Sequence, residues 1–168
     1  MSALKTASIP NQDIGSVLSA KGAENLNLAK RGDGSLPSFL FAIGHFGNFE
    51  LYAKTGVFVP GFELSTTYRG FRQLWLERLI LSLREQSGVS FFDRRFDGKK
   101  LRSFMNRPGT ITGLLVDQHA GRRGLRLPFF GLSCSVSPSP AIFALRYNPV
   151  SYTHLRAHET LRWLVCRR

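Results

Sequence analysis

The sequence predicts an α/β domain, with a largely parallel central sheet flanked by helices. Three observations predict it. Short apolar or β-branched runs alternate with stretches of helical spacing, the pattern of strands joined by helical crossovers. The run Thr110-Ile111-Thr112-Gly113-Leu114-Leu115-Val116 is almost continuously apolar or β-branched, as a strand covered on both faces must be. The residues best suited to chemistry, His45, Tyr68-Arg69 and Asp117-Gln118-His119, each fall directly after a strand candidate. In α/β sheets those strand ends face the crevice where ligands bind.

A chain of 168 residues has room for one sizeable core, and 14 Phe suit a packed body. The 23 Lys plus Arg against 11 Asp plus Glu leave a net charge of +12, which points to an anionic partner without choosing among phospholipid, phosphorylated glycan and nucleic acid. Two cysteines, Cys134 and Cys166, are too few for a disulfide framework and lack metal-site spacing, so no metal is expected. No stretch approaches the ~18 apolar residues of a membrane span, and Met1 to Asp13 lacks the apolar centre of a signal peptide. Membrane contact is therefore expected to be peripheral.

In chain order, residues 1–13 read as loose, and Ile14, Val17, Leu18, Ala23, Leu26 and Leu28 form a weak helical pattern ended by Gly32-Asp33-Gly34. Ser38 to Ile43 is the first strand, Leu51-Tyr52-Ala53 opens a helix, and Phe58 to Pro60 closes it. Phe62 to Tyr68 alternates as a second strand. Phe71, Leu74, Trp75, Leu76, Leu79, Ile80 and Leu83 then recur at helical spacing until Gly88. Val89 to Phe92 is a third strand, Lys99 to Asn106 a short basic helix, and Thr110 to Val116 the fourth strand. Leu127 to Gly131 reads as an apolar turn, and Ala141 to Tyr147 as the start of another helix.

The end of the chain stands apart. Val150-Ser151-Tyr152-Thr153-His154-Leu155-Arg156-Ala157-His158-Glu159-Thr160 resembles one translated frame of an adapter used in sequencing libraries. Residues 150–168 are accordingly expected to be a non-native tail outside the fold, and 1–149 a partial domain, incomplete at both ends. His154 and His158 have the i, i+4 spacing of a metal pair, but Glu159 follows the second histidine instead of lying between the two. The basic excess belongs to the body and not to this tail.

The stretch Gly44-His45-Phe46-Gly47-Asn48-Phe49-Glu50 carries the strongest chemical signal. Imidazole changes charge near neutral pH, so a histidine at a strand-to-helix corner is a natural general base when one ring nitrogen is held. Glu50, at the start of the following helix, is placed to hold it as a capping-box carboxylate would. No Ser or Cys stands in the motif, so the nucleophile is expected to be a substrate hydroxyl. Gly44 and Gly47 permit close approach to backbone, and amides near Asn48 suit a developing oxyanion. Taken by itself, a lone histidine before a helix is also a common core or capping residue.

His45-x-x-x-x-Glu50, in the context Gly-His-Phe-Gly-Asn-Phe-Glu, resembles the His-x4-Asp/Glu motif of glycerolipid and lipid A acyltransferases, and its flanks favour the bacterial lauroyl/myristoyl lipid A branch. The resemblance continues in order through Tyr68-Arg69, Gly113 to Gly121, and Leu127-Pro128-Phe129-Phe130-Gly131. It implies a glycerolipid-acyltransferase-like fold and transfer of a fatty acyl chain from acyl carrier protein to a hydroxyl of a lipid A precursor, with no cofactor. His45 would be the base and Glu50 its partner. Asn48, Arg69, Asp117 and Gln118 would shape the substrate side, and Arg122 and Arg123 would meet phosphate or acidic sugar, because guanidinium binds such groups bidentately.

The implied partners are acyl carrier protein, an anionic glycolipid and anionic membrane, at the cytoplasmic face of a bacterial inner membrane. The short basic helix, with Arg94, Arg95, Lys99 and Lys100 at or before its start, is more simply a solvated face, and Phe129 and Phe130 suit either an acyl channel or core. Two other functions stay open from the residues alone. One is acylation of another glycolipid or a phospholipid, and the other is a non-catalytic basic module for membrane or nucleic acid. No nucleic-acid motif supports the latter.

Overall fold

A computed structural model of the chain describes residues 10–17, 19, 26, 34–45, 49–70, 73–85, 87–147 and 150–153. Strands β1 (Phe39–Ile43), β2 (Glu63–Tyr68), β3 (Val89–Asp93), β4 (Thr110–Leu115) and β7 (Val150–Thr153) form a five-stranded sheet in the order β3-β2-β4-β1-β7. Every pairing in it is parallel. Strands β5 (Leu125–Phe129) and β6 (Leu132–Val136) form a separate antiparallel hairpin. The helices are α1 (Ile14–Val17), α2 (Leu74–Glu85), α3 (Gly98–Met105) and α4 (Ser139–Tyr147). The α/β class and the parallel sheet are as the sequence predicts.

Alternation along the strands divides the apolar residues between two faces. On one, Phe39, Phe41 and Ile111 pack with Leu26, joined by Ile43, Val59, Phe62 and Leu64. The rings of Phe39 and Phe62 stand 5.5 Å apart. On the other, Leu40 and Leu114 meet Leu101 and Met105 of α3, with Phe143, Ala144 and Tyr147 of α4 beside them. Helix α3 buries Leu101, Phe104 and Met105, at i, i+3 and i+4, and keeps Lys99, Lys100 and Arg102 in water. Strand β4, between β2 and β1, is buried along almost its whole length, as its composition requires.

Leu127 to Gly131, read as an apolar turn, belongs to the β5–β6 hairpin, and other local features also depart from the sequence reading. The first crossover, Phe49–Phe58, is a 3-10 helix over ten residues instead of an α-helix. Thr55, Gly56 and Val57 lie in its second half, and low helix propensity there leaves the tighter i to i+3 turn competitive. Asn11–Asp13, expected to be loose, forms a 3-10 turn that runs into α1. Val150–Thr153, within the stretch that resembles an adapter, lies parallel to β1 in the register Phe39↔Val150. A Val-Ser-Tyr-Thr segment is suited by composition to an open sheet edge.

The carboxyl edge of β2 and β3 is locked by one buried side chain. Asp93 is 6% exposed and accepts the N–H groups of Arg95, at 2.6 Å, and Gly70, at 2.9 Å. The Arg95 N–H bond holds its carboxyl below the usual 3.8, burial opposes this, and the Gly70 N–H and the Arg95 charge assist. A depressed folded-state value means that the stabilisation is fully present at neutral pH and is lost as pH falls below about 3.8. Asp93→Asn is therefore expected to lower unfolding free energy at neutral pH by about 1–3 kcal/mol in a denaturant titration, the usual range for a buried charge-assisted hydrogen bond. The gap from wild type should close in acid; a constant gap would show that the charge contributes nothing.

Candidate active site

Strand pairing places the histidine opposite a carboxylate. Strands β1 and β4 end their parallel register at Ile43↔Leu115, and the Val116 N–H still donates to the Ile43 carbonyl at 3.0 Å. Two residues further on each strand stand His45 and Asp117. His45 Nδ1 lies 2.6 Å from Asp117 Oδ1, and the His45 backbone N–H donates to Oδ2 at 2.5 Å. One carboxylate thus holds both the ring and the backbone of the same residue. With Nδ1–H committed to Asp117, Nε2 is the ring nitrogen with a lone pair. Gln118 Nε2 stands 3.5 Å from it, long for a hydrogen bond.

The crossovers leaving these neighbouring strands go to opposite faces. Residues Tyr52, Ala53 and Thr55 of the 3-10 crossover lie over the face of Phe41 and Ile43, while the chain after β4 returns as α4 against Leu40 and Leu114. Such divergence opens a crevice at the carboxyl ends of the strands, the usual ligand position in α/β sheets. A cavity of about 680 Å³ lies there. Phe41, Ile43, Leu64, Val89, Phe91, Ile111 and Leu115 give its lining an apolar part, Ser65, Thr66 and Thr67 of β2 lie among them, and the polar lining also includes His45, Tyr68, Arg69, Arg94, Gln118 and His119. A Cβ at Gly113, on β4 in this lining, would come 2.7 Å from Ile43 Cδ1, and that side chain would have to shift.

The electrostatics are consistent with Asp117 remaining ionised. Burial pushes its carboxyl up, but the side-chain and backbone hydrogen bonds from His45, and attraction to the imidazole, outweigh this and hold it below the ordinary value. The Tyr52 hydroxyl, at the cavity wall, is pushed up by burial and then by the Asp117 charge. Tyr68 is pushed up to about 12, first by burial and then by donating to Glu77 Oε1 at 3.1 Å. Its hydroxyl is tied to α2 and keeps its proton at neutral pH. His119 accepts the Gly121 N–H on Nδ1 at 3.1 Å, which puts the neutral ring's hydrogen on Nε2.

The three strand ends singled out in the sequence therefore meet in one place. His45, Arg69 and Gln118 line the cavity, and Asp117 holds His45. Arg122 and Arg123, on the exposed 3-10 turn Gly121–Arg123, are not among its lining residues. Asn48 and the Glu50 side chain lie outside the described residues; the Glu50 backbone belongs to the 3-10 crossover. The carboxylate seen on His45 is Asp117, to which the sequence assigned a substrate-side place. Arg94 was read as part of a solvated helix face, yet it follows β3 as Arg69 follows β2, lines the cavity, and donates from Nε to Thr67 Oγ1 at 3.3 Å. The strand-end rule that selected Arg69 would have selected it too.

Fold and site define a class: an α/β enzyme with a histidine–carboxylate pair at the carboxyl edge of a parallel sheet, beside a cavity of mixed apolar and polar lining. The family model for bacterial lipid A biosynthesis acyltransferase matches residues 1–158, and the chain belongs to that family. No curated protein sequence matches the chain. Among the described residues, no helix is long and apolar enough to cross a membrane.

The ring geometry is open to direct test. At a pH where His45 is neutral, nitrogen NMR should show Nδ1 protonated and Nε2 unprotonated. Asp117→Asn should shift the ring toward a mixture of tautomers, because a carboxamide can serve Nδ1 as donor or acceptor. An unchanged tautomer in that variant would mean that another group sets the ring.

Proposed function

We propose that the site transfers a fatty acyl chain from an acyl carrier protein thioester to a hydroxyl of a lipid A precursor, at the cytoplasmic face of a bacterial inner membrane. His45 is the general base. As the acceptor oxygen attacks the thioester carbonyl carbon, its proton passes to His45 Nε2. The tetrahedral intermediate then collapses with cleavage of the carbon–sulfur bond, and the imidazolium returns the proton to the departing thiolate. An ester and a free thiol result, and the enzyme is regenerated.

The observation that carries this reading is the Asp117 carboxylate on His45 Nδ1, with His45 lining a cavity that is apolar in part. A carboxylate there fixes the productive tautomer and stabilises the imidazolium formed during attack. The apolar part of the lining suits a hydrocarbon chain, and Arg69 and Arg94 suit anionic groups on the substrate. Family membership supports acyl transfer in lipid A biosynthesis; the thioester donor and the hydroxyl acceptor come from the motif resemblance. Glu50, on the first turn after the histidine, is proposed as a second carboxylate acting on the same base.

The assay is acyl transfer from acyl carrier protein to a tetra-acylated lipid A precursor. His45→Ala should lower kcat by ~10²–10⁴-fold, the usual contribution of a positioned base. Asp117→Asn should also lower kcat, because the imidazolium formed in attack loses its carboxylate and the ring its single tautomer, with less effect on KM. Unchanged turnover in His45→Ala would exclude the mechanism, and a preference for a different glycolipid or for a phospholipid would exclude this acceptor.

A further inference from the structure

The β5–β6 hairpin stands out from the body, with β5 exposed on both faces, and gathers its apolar side chains on one of them. Its register pairs Leu125 with Val136, Leu127 with Cys134 and Phe129 with Leu132. Directly opposed residues share a face, so these six apolar side chains form one surface. Arg126, Pro128, Ser133 and Ser135 form the other. The second surface meets the body only at the base of the hairpin, where Ser135 is buried: its hydroxyl donates to the Gly121 carbonyl at 2.6 Å and its own carbonyl accepts the Ala120 N–H at 3.1 Å, while Arg126, Pro128 and Ser133 stay exposed. The apolar surface is open, with Leu125 51%, Phe129 63% and Leu132 72% exposed.

The apex is less suited still to water. Phe130, with φ of 49°, and Gly131, with φ of 77°, are the two central residues of the turn. A two-residue hairpin turn with both residues left-handed favours Asn, Asp or Gly, and a bulky side chain there is strained. The Phe130 ring is 91% exposed and touches Phe129 edge-on, with centroids 4.7 Å apart. Strain of this kind at an exposed tip points to use of the side chain outside the fold. Arg122 and Arg123, just before the hairpin, and Arg126 on its polar face are all exposed.

We propose that the β5–β6 hairpin is a membrane-inserting element that seats the protein on an anionic lipid surface. Its aromatic tip enters the acyl region while Arg122, Arg123 and Arg126 meet lipid phosphates at the interface. The arginines beside the apolar face, on a chain of net charge +12, select an anionic surface. A narrow two-residue apex fits penetration of a fluid phase better than cover by a rigid partner. The assignment rests on the hairpin alone and goes beyond acyl transfer.

The experiment is co-sedimentation of the full chain with vesicles of phosphatidylethanolamine and phosphatidylglycerol, against neutral phosphatidylcholine vesicles. Binding should favour the anionic vesicles and weaken as salt screens the arginines. Phe130→Asn should bind roughly tenfold more weakly, the loss expected from withdrawing one aromatic side chain from an apolar phase. Asn suits the left-handed turn, so this variant should melt at or above the wild-type temperature, which separates lost binding from lost folding. Equal vesicle binding by wild type and Phe130→Asn would overturn the proposal. So would self-association of the wild type, abolished by Phe130→Asn, without vesicle binding, since a second copy would then cover the face. Because the assay contains no catalytic step, His45→Ala should bind as wild type does even if the acyl-transfer reading fails.

Discussion

The parallel pairing of β1 with β4 is the constraint on which the rest of the structure depends. Its register ends at Ile43↔Leu115, and continuing both strands by two residues brings His45 and Asp117 face to face. Shifting it by one residue would turn every side chain of β1 to the opposite face. Phe39 and Phe41 would then leave their cluster with Ile111, and His45 would leave Asp117. Core packing and site geometry are therefore enforced by the same ladder. The apolar contacts fix the register, and the register fixes the histidine.

The crevice follows from the same pairing. Because the connections after β1 and β4 leave on opposite faces, the space beyond their ends is left unfilled. The strand segments that line it carry apolar side chains together with the hydroxyls of Ser65, Thr66 and Thr67, and His45, Arg69 and Arg94 line it as well. Arg69 and Arg94 reach it because β2 and β3 end beside it in register, with Tyr68 opposite Asp93. Asp93 ties down that edge through backbone N–H groups of Gly70 and Arg95. Close to the crevice in sequence, the chain then forms a hairpin whose apolar side chains share one exposed face.

Much of the sheet was legible in the sequence, because period-two alternation and β-branched runs are local signals that burial reinforces. The ends of β1, β2 and β4 could likewise be marked as site positions by the general geometry of α/β sheets. The partnership of His45 with Asp117 was not legible, since it requires β4 to lie beside β1, and sequence order does not state which strands are neighbours. The hairpin was read as a turn because Pro128 interrupts its first strand and Phe130-Gly131 lacks the Asn or Asp of a left-handed turn. The Phe49–Phe58 crossover was expected to be α-helical because its apolar spacing does not distinguish that form from a 3-10 helix. Val150–Thr153 lies within the stretch that resembles an adapter, and its place against β1 is a matter of edge geometry.

The proposed chemistry requires His45 and Asp117 to act as one unit in acyl transfer. The most direct measurement is a double-mutant cycle on kcat/KM with His45→Ala, Asp117→Asn and the pair combined. If the carboxylate works only through the imidazole, the double variant should lose no more than His45→Ala alone, as groups acting as a unit are strongly non-additive. Losses that multiply would contradict the account, because Asp117 would then serve catalysis by a route that does not pass through His45.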